Sequence, residues 1–130
     1  MKTLLGVVVG VVVLFAAVFA IEALAHSLFP LPPMMDATNP ADQARMLAAM
    51  PAGAKAMVLL GWLVGPLLGA LAANRVAGRT QAGWIVAGIA IVGGIVTMVM
   101  IPHPIWMWVG GIALPLVGAW LAQRFAVPGA

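Results

Sequence analysis

Four apolar stretches dominate the chain, Leu4–Phe29, Ala54–Ala73, Ala82–Ile101 and Ile105–Leu121, and polar residues gather where they end. A helix crossing a hydrocarbon core of ~30 Å takes about 20 apolar residues, so the pattern predicts four transmembrane helices. The connection Pro30–Pro51 is the only long one. Within it, Asn39-Pro40 reads as an N-cap followed by an N1 proline, opening a short helix over Ala41–Met50. Ala41, Ala44, Leu47 and Ala48 share one face of that helix, opposite Asp42, Gln43 and Arg45, so an amphipathic helix lying on the membrane surface is expected. The last two spans are joined by little more than Pro102-His103-Pro104.

A second regularity lies between the spans. Laying Gly61–Ala77 on Gly110–Ala126 matches Gly61, Pro66, Leu67, Gly69, Ala70, Ala73, Arg75 and Ala77 with Gly110, Pro115, Leu116, Gly118, Ala119, Ala122, Arg124 and Ala126. The first and third spans both end in Pro-x-Pro, at Pro30-Leu31-Pro32 and Pro102-His103-Pro104. We read a duplicated helical hairpin within one all-α transmembrane domain covering residues 1–130. Its halves run over about 1–77 and 78–130, with an outer insertion over about 33–51. Both halves run in the same sense, so their pseudo-two-fold axis is expected along the membrane normal. Gly61, Gly65, Gly69 and Ala73 repeat at every fourth residue, as do Gly6 and Gly10, and Ala90 and Gly94. Such stripes let helix backbones approach closely, within one chain or between copies.

Composition sharpens this picture. Hydrophobic residues make up 65% of the 130 and charged ones 7%, far below the roughly one quarter charged of a soluble domain. Lys2, Arg75, Arg79 and Arg124 fall on one side, Arg45 and Lys55 on the other, and Glu22, Asp36 and Asp42 lie toward that second side. The positive-inside rule then makes both termini cytoplasmic. Trp84 and Trp120 stand near the cytoplasmic interface, Trp106 and Trp108 near the outer one, and Trp62 is deep. Ala23-Leu24-Ala25 resembles a signal-peptide cleavage site, but the apolar run is longer than a signal core and Glu22 precedes the site. The segment is therefore expected to stay as the first span. Six scattered basic residues do not make a phosphate-tracking surface, so no nucleic-acid partner is expected. The expected partners are the lipid bilayer and either further copies of the chain or a larger membrane complex.

The candidate chemistry centres on Glu22 and His26, a carboxylate and an imidazole at i and i+4 on one helix. Glu22 lies about 12 Å and His26 about 6 Å below the outer helix end, counting ~1.5 Å per residue from Pro30. An ionisable group at that depth costs roughly 2.5 kcal/mol or more unless it is paired, neutral or hydrated, so Glu22 is expected to face the bundle interior. Thr97 stands at the level of Ala25 by the Pro-x-Pro alignment, and His103 at the level of Leu31. Both are expected to converge on His26, with Asp36 as an outer-rim acid. Pro66 and Pro115 occupy matched positions and free the carbonyls of Trp62 and Gly111, which makes these four residues candidates for a midplane site or simply for two kinks.

No metal is assigned. His26 and His103 with Glu22 or Asp36 would suit a hard metal, and the outer methionines Met34, Met35, Met46, Met50, Met57, Met98, Met100 and Met107 would suit Cu(I) or an apolar pocket. No spacing among them specifies a metal, and no cofactor is expected. The chain has no cysteine, no Ser-His-Asp arrangement, no phosphate-binding glycine loop followed by Lys and no H-E-x-x-H, so an enzyme is not expected.

Glu22-Ala-Leu-Ala-His26, Pro30-Leu-Pro-Pro33 with Asp36, and Met100-Ile-Pro-His-Pro-Ile-Trp106 resemble a group of uncharacterised small four-helix bacterial integral membrane proteins. The likeness spans nearly the whole chain and implies a bacterial inner-membrane location, with no activity attached. Taken together, the residues point to an outward-facing intramembrane polar site that binds or transports a proton, cation or small ligand. The alternative is an accessory or structural subunit, or an assembly factor, of a larger membrane complex.

Overall fold

A computed structural model describes residues 2–29, 39–49, 51–100 and 105–125. The described chain is all-helical: α1 (Lys2–Leu28), α2 (Pro40–Ala49), α3 (Ala52–Ala77), α4 (Gln81–Met100) and α5 (Ile105–Arg124). Helices α1, α3, α4 and α5 are each long and apolar enough to cross a membrane. α3 runs past its predicted span at both ends and α5 past its C-terminal end, because Asn74 and Gln123 are accommodated inside the bundle and not left at its surface. Pro40 opens α2, and the Asn39 side chain caps it by accepting a hydrogen bond from the Ala41 amide at 2.9 Å. The side chains of Ala44 and Leu47, on which an apolar face of α2 would rest, lie outside the described residues.

Helix α3 is the hub and packs on α1, α4 and α5. Its contact with α1 is antiparallel and runs the length of both. Gly6 meets Ala73 and Ala77, Gly10 meets Gly69 and Ala73, Leu14 and Val18 meet Gly65, and Ile21 meets Gly61. A methyl group placed on Gly10 would lie 2.6 Å from the Gly69 carbonyl oxygen, and one on Gly69 would lie 2.7 Å from that of Gly10. The two backbones therefore touch. Lipid offers no hydrophobic drive for helix association, so dispersion over such close surfaces has to hold the pair. α5 lies on the other side of α3 and runs parallel to it: Gly118 meets the backbones of Leu63 and Leu67, and Gly111 meets the Trp62 ring.

The α3–α4 connection is a tight reversal. Gly78 adopts φ 72°, a left-handed conformation that closes α3, and its amide donates to the Asn74 carbonyl at 2.8 Å. This brings α4 back alongside α3 and parallel to α1. At the end of the bundle holding the N-terminus, Leu14, Ala73, Ala77, Ala82 and Val86 form one core cluster, with Val7, Val11, Val18 and Ala90 around it. A second cluster joins Ala70, Ala87, Ala119 and Ala122 from α3, α4 and α5.

These contacts predict a sharp contrast between glycines. Gly10→Ala and Gly69→Ala should each destabilise the protein by about 1–3 kcal/mol, because the obstructing atoms are backbone. Gly88→Ala, which enters open space, should be neutral or gain up to about 1 kcal/mol from helix propensity. Unfolding in detergent, followed by circular dichroism, measures all three.

Candidate functional site

The sequence-predicted residues divide into three groups. His103 and Asp36 lie outside the described residues, as do both Pro-x-Pro segments. Trp62 and Gly111 meet across the α3–α5 contact, and Pro66 and Pro115 stand one turn further along the same two helices. Pro66, Gly111 and Pro115 are buried there, the Trp62 ring packs on Gly111, and the Met98 side chain reaches the same spot from α4. Both prolines sit inside unbroken helices, so the matched breaks lie in a packed seam.

Glu22, His26 and Thr97 form the third group, and all three are exposed on the four-helix unit. This corrects the expectation that Glu22 points into the bundle. The reason lies in the α1 face that packs. Gly6, Gly10, Leu14 and Ile21 turn to α3, and Glu22 follows Ile21 by one residue, about 100° around the helix. Thr97 does not hydrogen-bond to His26. Its hydroxyl donates to the carbonyl of Gly93, one turn back on its own helix, at 2.9 Å.

Glu22 and Thr97 nevertheless share a feature of the fold, the seam between α1 and α4. That seam is closed where Gly10 meets Val86, in a cluster that also holds the buried Leu14 and Ala82. Gly93 and Thr97 stand about two turns beyond Val86 and Ala90 on the same α4 face. Both are exposed, and a methyl group on Gly93 would touch nothing. On α1, Glu22 stands one turn beyond Val18, which packs on the core cluster. Among the described residues, the two helices thus enclose a core at the N-terminal end of the bundle, while Glu22, Gly93 and Thr97 toward the other end are exposed.

The Gly10–Val86 contact sets the levels along that seam. Extending both helices equally from it brings Glu22 level with Met98, one residue from Thr97, and not Thr97 level with Ala25 as the Pro-x-Pro alignment implied. An exposed carboxylate on α1 and an exposed hydroxyl on α4 thus stand at about the same height, with Gly93 between Thr97 and the buried core. Among the described residues, Glu22 and His26 make no hydrogen bond, and no cluster of three or more His, Cys, Asp or Glu side chains forms. Of the methionines considered for copper, Met98 and Met107 are buried in the core and Met100 is exposed.

Sequence reasoning missed Asn74, the one buried polar residue among those described. Its Oδ1 accepts the Gly83 amide at 2.7 Å, near the start of α4, and its Nδ2 donates to Gln123 Oε1 at 3.4 Å on α5. Gln123 Nε2 donates in turn to the Ala119 carbonyl at 3.0 Å. One amide thus ties three helices at the closed end and serves an N–H of α4 that its own helix leaves without a partner. A signal was available, since Asn74 aligns with Gln123 at the offset that matches Arg75 with Arg124. Asn74→Leu should cost about 1–3 kcal/mol by stranding the Gly83 amide, and Gln123→Ala should cost less, because its bond to Asn74 is long. Thermal unfolding of the two variants in one detergent ranks them.

No known protein family, curated protein or solved structure matches the chain.

Proposed function

We propose that the chain is a small polytopic inner-membrane protein whose α1–α4 cleft binds or transports a proton, a cation or a small ligand. Glu22 is the charge-bearing group, with Thr97 on the opposite wall and His26 one turn above it. The observation that carries this reading is the coincidence of the acid with a stretch where, among the described residues, Gly93 and Thr97 on the same face of α4 as the buried Val86 are exposed. A carboxyl group inside an apolar span costs roughly 2.5 kcal/mol or more unless hydrated or paired, and a cleft at its level supplies room for water or a ligand. Basic residues at the closed end, Lys2, Arg75, Arg79 and Arg124, favour placing that end and both termini in the cytoplasm, so the cleft opens outward. His103 and Asp36, at that outer end by sequence, would form its rim. The pairing of Asn74 with Gln123 fits a duplicated hairpin with its axis along the membrane normal. The short helix α2 would lie on the outer surface.

A second reading has its own support. α4 turns Ile85, Ile89, Val92, Val96 and Val99 outward, and Gly88 on that side is clear of any neighbour. An accessory subunit of a larger complex would use such a face for docking, with the Glu22–His26 pair a by-product of assembly.

Glu22→Gln separates the two. The cleft reading predicts that the variant reconstitutes with unchanged thermal stability and loses at least about tenfold in cation binding or proton flux across proteoliposomes, the loss expected when an intramembrane acid acts as the site. Loss of assembly with no solute effect in the assembled protein supports the accessory reading.

A further inference from the structure

The end of the bundle that holds the N-terminus carries four cations, and the packing register sets their levels. α1 and α3 run antiparallel, with Gly6 against Ala73 and Ala77 and Gly10 against Gly69 and Ala73. Carried one turn on, that register brings Lys2 level with Arg79 in the α3–α4 turn. α3 and α5 run parallel, with Trp62 on Gly111 and Asn74 bonded to Gln123, which brings Arg124 level with Arg75 one turn further in. All four are exposed. No acid answers them: Glu22 stands near the far end of α1, and Asp36 and Asp42 lie in the chain between α1 and α3. The Arg124 guanidinium is spent on the Trp120 ring, 4.5 Å from its centroid. Arg79 differs. Its Nη1 donates to Gln81 Oε1 at 3.5 Å, one of the five donors that a guanidinium has, beside an open hollow lined by Gly78, Arg79, Thr80 and Gln81. Trp84, exposed on the first turn of α4, lies just inward of that hollow.

We propose that this end is a binding surface for an anionic phospholipid, its phosphate in the α3–α4 hollow against Arg79 and its glycerol region at the level of Trp84. Charge complementarity selects the occupant. Four cations with no carboxylate at their end attract a headgroup whose only charge is its phosphate. A zwitterionic lipid would bring its own ammonium group among them and is disfavoured. The guanidinium can give a phosphodiester two parallel N–H bonds, which fixes the headgroup at Arg79 and not merely near the surface. The indole is apolar in its body and polar at its N–H, so it suits the boundary between headgroup and acyl chain, and a free inorganic anion would leave it unused. The surface lies at the opposite end from Glu22, so its occupancy does not depend on the reading of the α1–α4 seam.

The same indole reports the lipid. In phosphatidylcholine vesicles, tryptophan fluorescence of the full chain should be quenched more by phosphatidylglycerol brominated on its acyl chains than by brominated phosphatidylcholine at equal mole fraction. The excess should vanish in Trp84→Phe and persist in Trp106→Phe, which alters the first turn of α5 at the other end. Arg79→Gln should weaken the preference about fivefold, the weight of one arginine near an anionic surface. Lys55→Gln, on the first turn of α3 at the far end, should leave it unchanged. Equal quenching by the two lipids, an excess that survives Trp84→Phe, or equal losses in Arg79→Gln and Lys55→Gln overturns the proposal. Inorganic phosphate that abolishes the excess at unchanged ionic strength assigns the hollow to a soluble anion and overturns the lipid as occupant. Should an Arg79 variant fail to fold, the native chain decides. Salt at about 1 M, where the Debye length is ~3 Å, should cut the preference for phosphatidylglycerol, and a preference indifferent to salt contradicts its electrostatic basis.

Discussion

The fold depends on the contact of two bare backbones, α1 on α3, at Gly6, Gly10 and Gly69. Carbonyl oxygens occupy the places where methyl groups would stand, so neither helix can roll without a collision. That constraint fixes which side of α1 is spent on packing, and everything said of Glu22 follows. With Gly10 and Leu14 turned to α3 and Val86, the acid one turn beyond Val18 has to look along the α1–α4 seam. A larger residue at Gly69 would push the helices apart and move the carboxyl group without touching it.

The bundle is held unevenly along its length. Asn74 ties α3, α4 and α5 at the closed end, beside the fully buried Ala73, Ala82 and Val86. The opposite end of the α1–α4 seam has small, exposed residues at Gly93 and Thr97. A hydrogen bond between buried amides is strongest where water is excluded, so the polar anchor and the dense alanine packing reinforce each other at one end only. Looser α1–α4 packing toward the other end, among the described residues, is the natural result.

Much of this was legible in the residues. Hydrophobic run length located the four spans, and the Asn39-Pro40 cap marked the start of α2 because both signals are local. The place of Glu22 within α1, near its C-terminal end, was readable, but its direction was not, since rotation about the helix axis is decided by which neighbour packs. The clue was present: Gly6 and Gly10 define the close-packing face of α1, and Glu22 lies well around the helix from them. The level of Thr97 was misjudged because Pro-x-Pro segments align helix ends, whereas the Gly10–Val86 contact sets the register of the packed helices. Asn74 went unnoticed because a lone amide in an apolar helix has no periodicity, and its three-helix role exists only after folding.

The central claim of the proposed function is that the α1–α4 seam, sealed at one end, admits water at the other, at the height of Glu22. The most direct measurement is thiol accessibility in the otherwise cysteine-free chain, using a membrane-impermeant maleimide on intact inner-membrane vesicles and spheroplasts. Thr97→Cys should react from the periplasmic side, and Val86→Cys should stay unmodified from both sides until the protein is denatured. A Thr97→Cys thiol as inert as that of Val86→Cys would contradict the account.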